Sequence, residues 1–318
     1  MKNLPGRVFQ TIPGYEDHLA RELEFRGVPL SGTENWGPLL YSPAAGVPVY
    51  WNQNTWLNPV LIEFDSINEA AAALRGMGRN WAPCLFTQYR RGTLIKSKLP
   101  GLPDKKHRFP WLLPDTPMGA FTLLDDHNLV ASAQCSSPFP GGIIEFEEDR
   151  EGPPSRAYLK LWEAMTLCRK WPQTGQRCLD AGASPGGWTW ALSRLGADVL
   201  AVDRSALDEK ISRLENVEYL KHDAFTLQPQ DTGKLDWLFC DVICYPPRLY
   251  EWTEKWLSSG LCENFICTIK MQGDADFETT ELFTKIPDSR IIHLWHNKHE
   301  LTWIKIKPSD QLQNPVSS

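Results

Sequence analysis

Cys178-Leu179-Asp180-Ala181-Gly182-Ala183-Ser184-Pro185-Gly186-Gly187-Trp188-Thr189 decides how the second half of this 318-residue chain is read. An apolar run ends in an acid and a glycine, a short turn follows, and Thr189 to Leu195 has the spacing of an amphipathic helix. Glycine in such a turn lets the backbone approach a ligand and take positive φ at little cost, and the helix start supplies free N–H groups. A dinucleotide loop would read Gly-x-Gly-x-x-Gly, and a phosphate loop would end in Lys-Ser/Thr. Neither is present: the pattern is Gly-x-x-x-Gly-Gly with Pro185 in the turn. Asp180 at the strand end suits a ligand that carries a positive ammonium group.

Outward from this loop, apolar runs alternate with amphipathic ones. A helix is expected over residues 156–165, with Ser155 as its cap, and strands over 177–182, 197–203, 218–223, 235–242 and 265–271. Helices are expected between most of them, notably 189–195 and 251–257. Strands of this kind predict a mostly parallel sheet covered on both faces. The last two strands, 290–296 and 301–307, lie so close together that they must pair antiparallel. Asp203 and Asp223 are then expected at the ends of the second and third strands, beside Asp180. Ligands of open α/β sheets bind at those ends, where an acid can accept from ribose hydroxyls and another from an adenine amino group. The expected ligand is S-adenosylmethionine, held by Asp180, Gly182, Ser184, Pro185, Gly186, Gly187, Trp188, Asp203, Asp223 and Asp241.

The arrangement is similar to the class I methyltransferase (Rossmann-like) fold, a seven-stranded sheet with an antiparallel last strand. More narrowly, the second half resembles the FtsJ/RrmJ-type ribose 2′-O-methyltransferases, and within them the RlmM branch acting on large-subunit ribosomal RNA. Residues 180–188 meet the family motif Asp-x-Gly-Ala-x-Pro-Gly-Gly-Trp without a gap. The resemblance implies a Lys-Asp-Lys-Glu tetrad, and the candidates in order are Lys160, Asp241, Lys270 and Glu300. A ribose hydroxyl is a poor nucleophile until its proton is removed, and a lysine is a useful base only when uncharged. Lys270 is the expected base, because it ends the apolar run Phe265-Ile266-Cys267-Thr268-Ile269, where a charge is costly. Lys160 is the expected neighbouring cation that disfavours the charged form of Lys270 and orients the hydroxyl. Asp241 and Glu300 position the two amines. No metal is expected.

A charged, Gly/Pro-rich stretch at Glu147-Glu148-Asp149-Arg150-Glu151-Gly152-Pro153-Pro154 predicts two domains, 1–150 and 151–318. The first reads as an α+β substrate-binding region. A helix is expected from Tyr15, Leu19 and Leu23 to a stop at Gly27. A strand follows at 60–64, then a helix from Ser66 with a capping-box Glu69, then a hairpin around Asp125-Asp126-His127-Asn128. Its opening is similar to RNA-modifying enzymes with ferredoxin-like and THUMP modules.

The net charge of −6 and pI of about 5.7 do not advertise a nucleic-acid binder. Charge is segregated, however: Arg90, Arg91, Lys96, Lys98, Lys105, Lys106 and Arg108 are expected to contact RNA phosphates. Phe86, Tyr89, Phe109 and Trp111 are interleaved and could stack on unpaired bases, which implies single-stranded or locally opened RNA, of the large ribosomal subunit if the resemblance holds. The eight cysteines form no Cys-x-x-Cys pair and read as buried reduced thiols of a cytoplasmic protein. No run approaches the roughly 18 apolar residues of a membrane span.

Base methylation is the nearest rival. Asp241-Val242-Ile243-Cys244-Tyr245-Pro246-Pro247 resembles the Asp/Asn-Pro-Pro-Tyr motif of base-nitrogen enzymes, but its prolines stand five residues after the acid, and two lysines would have no role. A further alternative is an RNA-binding or assembly protein that keeps the fold without catalysis.

Overall fold

A computed structural model describes residues 1–102 and 106–308. The chain separates into two compact units, one of Met1–Glu147 with His293–Trp295, the other of Glu148–Ile292 with the chain from His296.

The first unit contains β1 (Lys2–Asn3), β2 (Arg7–Gln10), α1 (Glu16–Phe25), β3 (Glu34–Trp36), β4 (Leu39–Ser42), β5 (Asn54–Trp56), β6 (Val60–Glu63), α2 (Ile67–Met77), β7 (Asn80–Pro83), α3 (Tyr89–Ser97), β8 (Met118–Leu123) and β9 (Asn128–Ser132). Leu19 and Leu23 bury fully on one side of α1, as their four-residue spacing predicts. Gly27 stops that helix with φ of +71°; its N–H bonds to Glu24 O and that of Val28 to Leu23 O, satisfying carbonyls that the helix end leaves open. Ser66 caps α2 by accepting from the Glu69 N–H, while Glu69 reaches back one residue further than a capping box requires, to the Asp65 N–H. The expected hairpin is β8–β9, with Leu123 opposite Leu129.

Two sheets result, β1-β6-β9-β8-β7 and β3-β4-β2-β5. The smaller holds the α1 opening and is built from β2-α1-β3-β4-β5, with β4 between β2 and β3 and every pair antiparallel. The ferredoxin-like motif orders its elements βαββαβ; the larger sheet follows a different order, β6-α2-β7-α3-β8-β9, with β7 and β8 parallel.

The second unit contains α4 (Tyr158–Cys168), β10 (Arg177–Ala181), α5 (Gly187–Arg194), β11 (Asp198–Asp203), α6 (Glu209–Ser212), β12 (Val217–Lys221), α7 (Pro229–Thr232), β13 (Trp237–Cys240), α8 (Pro246–Ser259), β14 (Asn264–Lys270), α9 (Phe277–Thr284), β15 (Ser289–Ile292) and β16 (Glu300–Lys305). They form one seven-stranded sheet, β12-β11-β10-β13-β14-β16-β15. Neighbours from β12 to β14 are parallel, and β16 runs antiparallel between β14 and β15. This is the expected class I methyltransferase architecture. Strand order reverses at β10, so the carboxyl ends of β10 and β13 open the crevice in which α/β sheets bind ligands.

Three local expectations change. Ser155 does not cap α4, which begins at Tyr158 after Ala157. Helix α8 is twice the expected length because Pro246 and Pro247 start it, Pro being suited to a first helical turn. Its buried Leu249, Trp252, Thr253 and Trp256 follow helical spacing. The final strands are shorter than expected, and residues 293–299 connect them.

Candidate active site

Four side chains far apart in sequence meet at the carboxyl edge of the seven-stranded sheet's parallel strands. In the antiparallel register of β14 and β16, Lys270 lies directly opposite Glu300. Asp241 follows β13, the next strand over, and its N–H bonds back to Ala181 O of β10. Helix α4 carries Lys160 to the same point. Lys160 Nζ lies 3.2 Å from Asp241 Oδ1 and 2.5 Å from Glu300 Oε1, and Lys270 Nζ lies 3.0 Å from Asp241 Oδ1 and 4.0 Å from Glu300 Oε2. The structure thus gathers all four residues named from the sequence.

Burial pushes the Asp241 carboxyl upward, but the ammonium groups of Lys160 and Lys270 outweigh it and hold Asp241 below the ordinary carboxylate range. Burial likewise opposes charge on Lys160, yet Asp241 and Glu300 prevail and hold its pKa above the usual lysine value. Lys160 is therefore a standing cation. Ion pairs this buried are weak contributors to net stability, since desolvation offsets attraction. Their concentration beside a cleft is the pattern of a working site.

That cleft has a volume of about 410 Å³, and Gly182, Ser184, Pro185, Asp203, Asp223, Asp241 and Lys270 line it. Gly182 has φ of +81°, and a Cβ there would stand 2.6 Å from Val242 Cγ2, so only glycine keeps the strand end open. Asp203 ends β11 as expected and accepts from the N–H groups of Ser184 and Ser205, which aim its carboxylate. Asp223 is displaced from expectation: β12 stops at Lys221, and Asp223 lies in the turn beyond, accepting from the Phe225 N–H.

Asp180 does not line the cleft. It is fully buried, accepts from Thr189 Oγ1 at 2.6 Å, and burial pushes its carboxyl up to about 7. Its Oδ1 has no hydrogen-bond partner. The direct ammonium contact expected of it is corrected, because α5 lies over its side chain. Gly186, Gly187 and Trp188 are also absent from the lining. Gly186 has φ of +116°, with no room for a Cβ against Ile211, and a Cβ on Gly187 would lie 2.5 Å from Ser155 Oγ. Trp188 is buried, donates through Nε1 to Ala157 O and faces Lys160 Nζ at 6.0 Å. These residues brace the loop and α4.

Sequence reasoning missed two contributors. Thr268 donates to Asp241 Oδ1 at 2.6 Å, and its place two residues before Lys270 puts it on the same strand face, a legible signal. Arg248 pairs with Asp223 at 3.6 Å and stands 4.6 Å over the Phe225 ring at the cleft wall. Nothing in the sequence links α8 to that turn.

The family described as FtsJ-like methyltransferase matches residues 153–276. The ribosomal RNA large subunit methyltransferase M of Xanthomonas oryzae is 31% identical over 258 residues, 76% of this chain and 70% of that protein. The chain belongs to the ribosomal RNA large subunit methyltransferase M family, within the FtsJ-like methyltransferases. Its namesake in Azoarcus is 34% identical over 182 residues, and there the chain spans about half the relative's length, 49%. Among solved structures, the magnesium protoporphyrin IX methyltransferase of Synechocystis, determined with bound SAM, matches at 15% identity and a TM-score of 0.34. It covers 47% of this chain and 78% of that one. The family is S-adenosylmethionine-dependent, and the cleft, lined by the acceptors Asp203, Asp223 and Asp241, fits a ligand of that chemistry, which carries hydroxyl and amino donors.

The basic segment of the first unit behaves differently from the tetrad. Arg90, Lys98, Lys106 and Arg108 are exposed, as phosphate contact requires. Lys96 is not available for that role: its ammonium donates to Trp81 O at 2.7 Å, and burial lowers its pKa. Arg91 stacks over the Phe64 ring at 5.2 Å and is half-buried. Lys105 lies outside the described residues. Of the interleaved aromatics, Phe86 packs against a core cluster, Tyr89 is exposed, Phe109 meets Phe146 edge-on and Trp111 stacks on His107.

Proposed function

We propose that the chain is an RNA ribose 2′-O-methyltransferase acting on a nucleotide, on the family's precedent a cytidine, of large-subunit ribosomal RNA. The observation that supports this most is the meeting of Lys160, Asp241, Lys270 and Glu300 at the wall of the cleft. S-adenosylmethionine, when bound, supplies a methyl group on a positively charged sulfur. Asp203 would accept its ribose hydroxyls, Asp223 its adenine amino group, and the turn at Gly182, Ser184 and Pro185 would admit its methionine part.

Lys270 Nζ, at the mouth of the site, first gives up its own proton to solvent and, as the uncharged amine, takes the proton of the ribose hydroxyl. Lys160, kept charged by its two carboxylates, stabilises the oxygen as negative charge grows on it. Asp241 and Glu300 hold the amines in place, with Thr268 fixing Asp241. Methylation of a base nitrogen is less well supported, because Asp241 is engaged by both lysines and Thr268. Residues 1–150 would recognise RNA and residues 151–318 carry the chemistry.

The test uses the full chain, labelled S-adenosylmethionine and ribosomal RNA from cells lacking the gene. A ribose 2′-O-methyl leaves the adjacent phosphodiester resistant to alkali, so the label should be recovered in an alkali-resistant dinucleotide. Label recovered on a free base overturns the ribose assignment, and no transfer to any RNA overturns the enzymatic reading.

A further inference from the structure

A second cavity, of about 550 Å³, lies wholly within the first unit, and the methyl-transfer chemistry makes no use of it. Its size falls in the range of small-molecule sites, roughly 300–1,000 Å³. One wall is a stack of flat rings: Trp111 lies on His107 with centroids 3.6 Å apart and planes 16° from parallel, and Phe139 continues it. The platform is stiff, because the backbone of His107 is bonded on both sides, its N–H to Glu145 O and its carbonyl from the Glu147 N–H. Burial lowers the His107 pKa, so the imidazole favours its neutral form, in keeping with a stacking surface. Buried Ile144 adds an apolar floor.

The rim is charged. Arg79 and Lys106 both line the cavity and are both exposed. Glu145 opposes them, but its pair with Lys106 is long, 3.8 Å, and exposed at both ends, so it is easily exchanged for another anion. An aromatic platform with cations at its edge suits a planar, π-faced ligand joined to an anion. That is the chemistry of a nucleotide.

We propose that this cavity receives one unpaired nucleotide of the RNA substrate, its base on the Trp111–His107 stack and its phosphate against Arg79 and Lys106. The inference rests on the RNA-methyltransferase reading and adds to it a discrete site that would choose unpaired RNA.

Binding of a short single-stranded oligoribonucleotide to the full chain, compared with the same oligomer made abasic, tests it. The intact oligomer should bind the native protein about ten-fold or more tightly than the abasic one, the usual size of one stacked base. Trp111→Ala should remove that preference, and Trp111→Phe should restore much of it. Arg79→Glu should weaken both oligomers and flatten the salt dependence, by about 0.7 for each lost single-strand contact. A native circular-dichroism spectrum and a native melting temperature check that each variant is folded. Should Trp111→Ala misfold, the abasic comparison in native protein and the Arg79→Glu salt slope still decide. Equal affinity for intact and abasic oligomers, or wild-type discrimination in Trp111→Ala, overturns the nucleotide site while leaving methyl transfer standing. Absence of any RNA binding by the native chain overturns both readings.

Discussion

The tetrad and the basic segment make opposite use of charge. Lys160, Asp241, Lys270 and Glu300 are scattered over 141 positions, yet the sheet and α4 bring them within hydrogen-bond reach. Arg90, Arg91, Lys96, Lys98, Lys106 and Arg108 are neighbours in sequence, yet the fold divides them. Arg91 and Lys96 turn inward to Phe64 and Trp81, and the others remain at the surface. Clustering along the chain is therefore poor evidence of a shared role, and convergence in space is good evidence.

The comparison breaks most readily at Lys270. Lys270→Ala should cut methyl transfer about 10²- to 10⁴-fold, the ordinary contribution of a positioned base. Charge reversal at Arg90 should instead weaken RNA binding and spare the rate at saturating RNA. A Lys270→Ala variant with native turnover would remove the tetrad from the chemistry.

Two acids of the second unit sharpen the contrast through pH. Asp180 has a folded pKa near 7, above its ordinary 3.8, so ionising it opposes folding. Its contribution to stability falls as pH rises from about 4 to 7, a penalty on the order of 4 kcal/mol at 1.36 kcal/mol per unit. Asp241 has the reverse sign: its pKa is depressed, so its stabilising contribution is complete above the unfolded value and is lost as pH falls through the folded one. Urea unfolding of Asp180→Asn across that interval should show a flatter pH profile and greater stability at pH 7–8. A profile parallel to the native one would mean that Asp180 is not a buried, reluctant carboxylate.

The smallest effects separate the inward from the outward cations. Lys96→Met leaves the Trp81 carbonyl short of its donor and should lower stability by about 1–3 kcal/mol without altering RNA affinity. Arg90→Glu should change stability by no more than about 0.5 kcal/mol, as surface substitutions do, while weakening RNA binding. Equal behaviour of the two variants would erase the division.

Local chemistry was legible without coordinates wherever neighbours in the chain decide it. The Gly182–Gly187 turn, the Leu19–Leu23 face closed by Gly27 and the Ser66 cap all depend on contacts within a few residues. The alternation of strands and helices after residue 150 depends on side-chain period alone, and the right-handed crossover rule leaves such a pattern few topologies. The tetrad could be named because a family motif stood in for the missing geometry, although no spacing along the chain shows that residues 160 and 300 meet.

What the sequence determined by itself was thus the α/β character of the second half, its glycine turn and the identity of the residues available for chemistry. Tertiary structure alone decided that Asp180 faces α5 and not the cleft, that Asp223 lies beyond its strand, and that β7 and β8 run parallel. It also decided which cations of the basic segment remain at the surface and where Trp111 and His107 form a cavity wall. The physical reason is range: turns and periodicities arise from neighbouring residues, whereas burial, pairing and charge balance depend on what the rest of the chain places beside them.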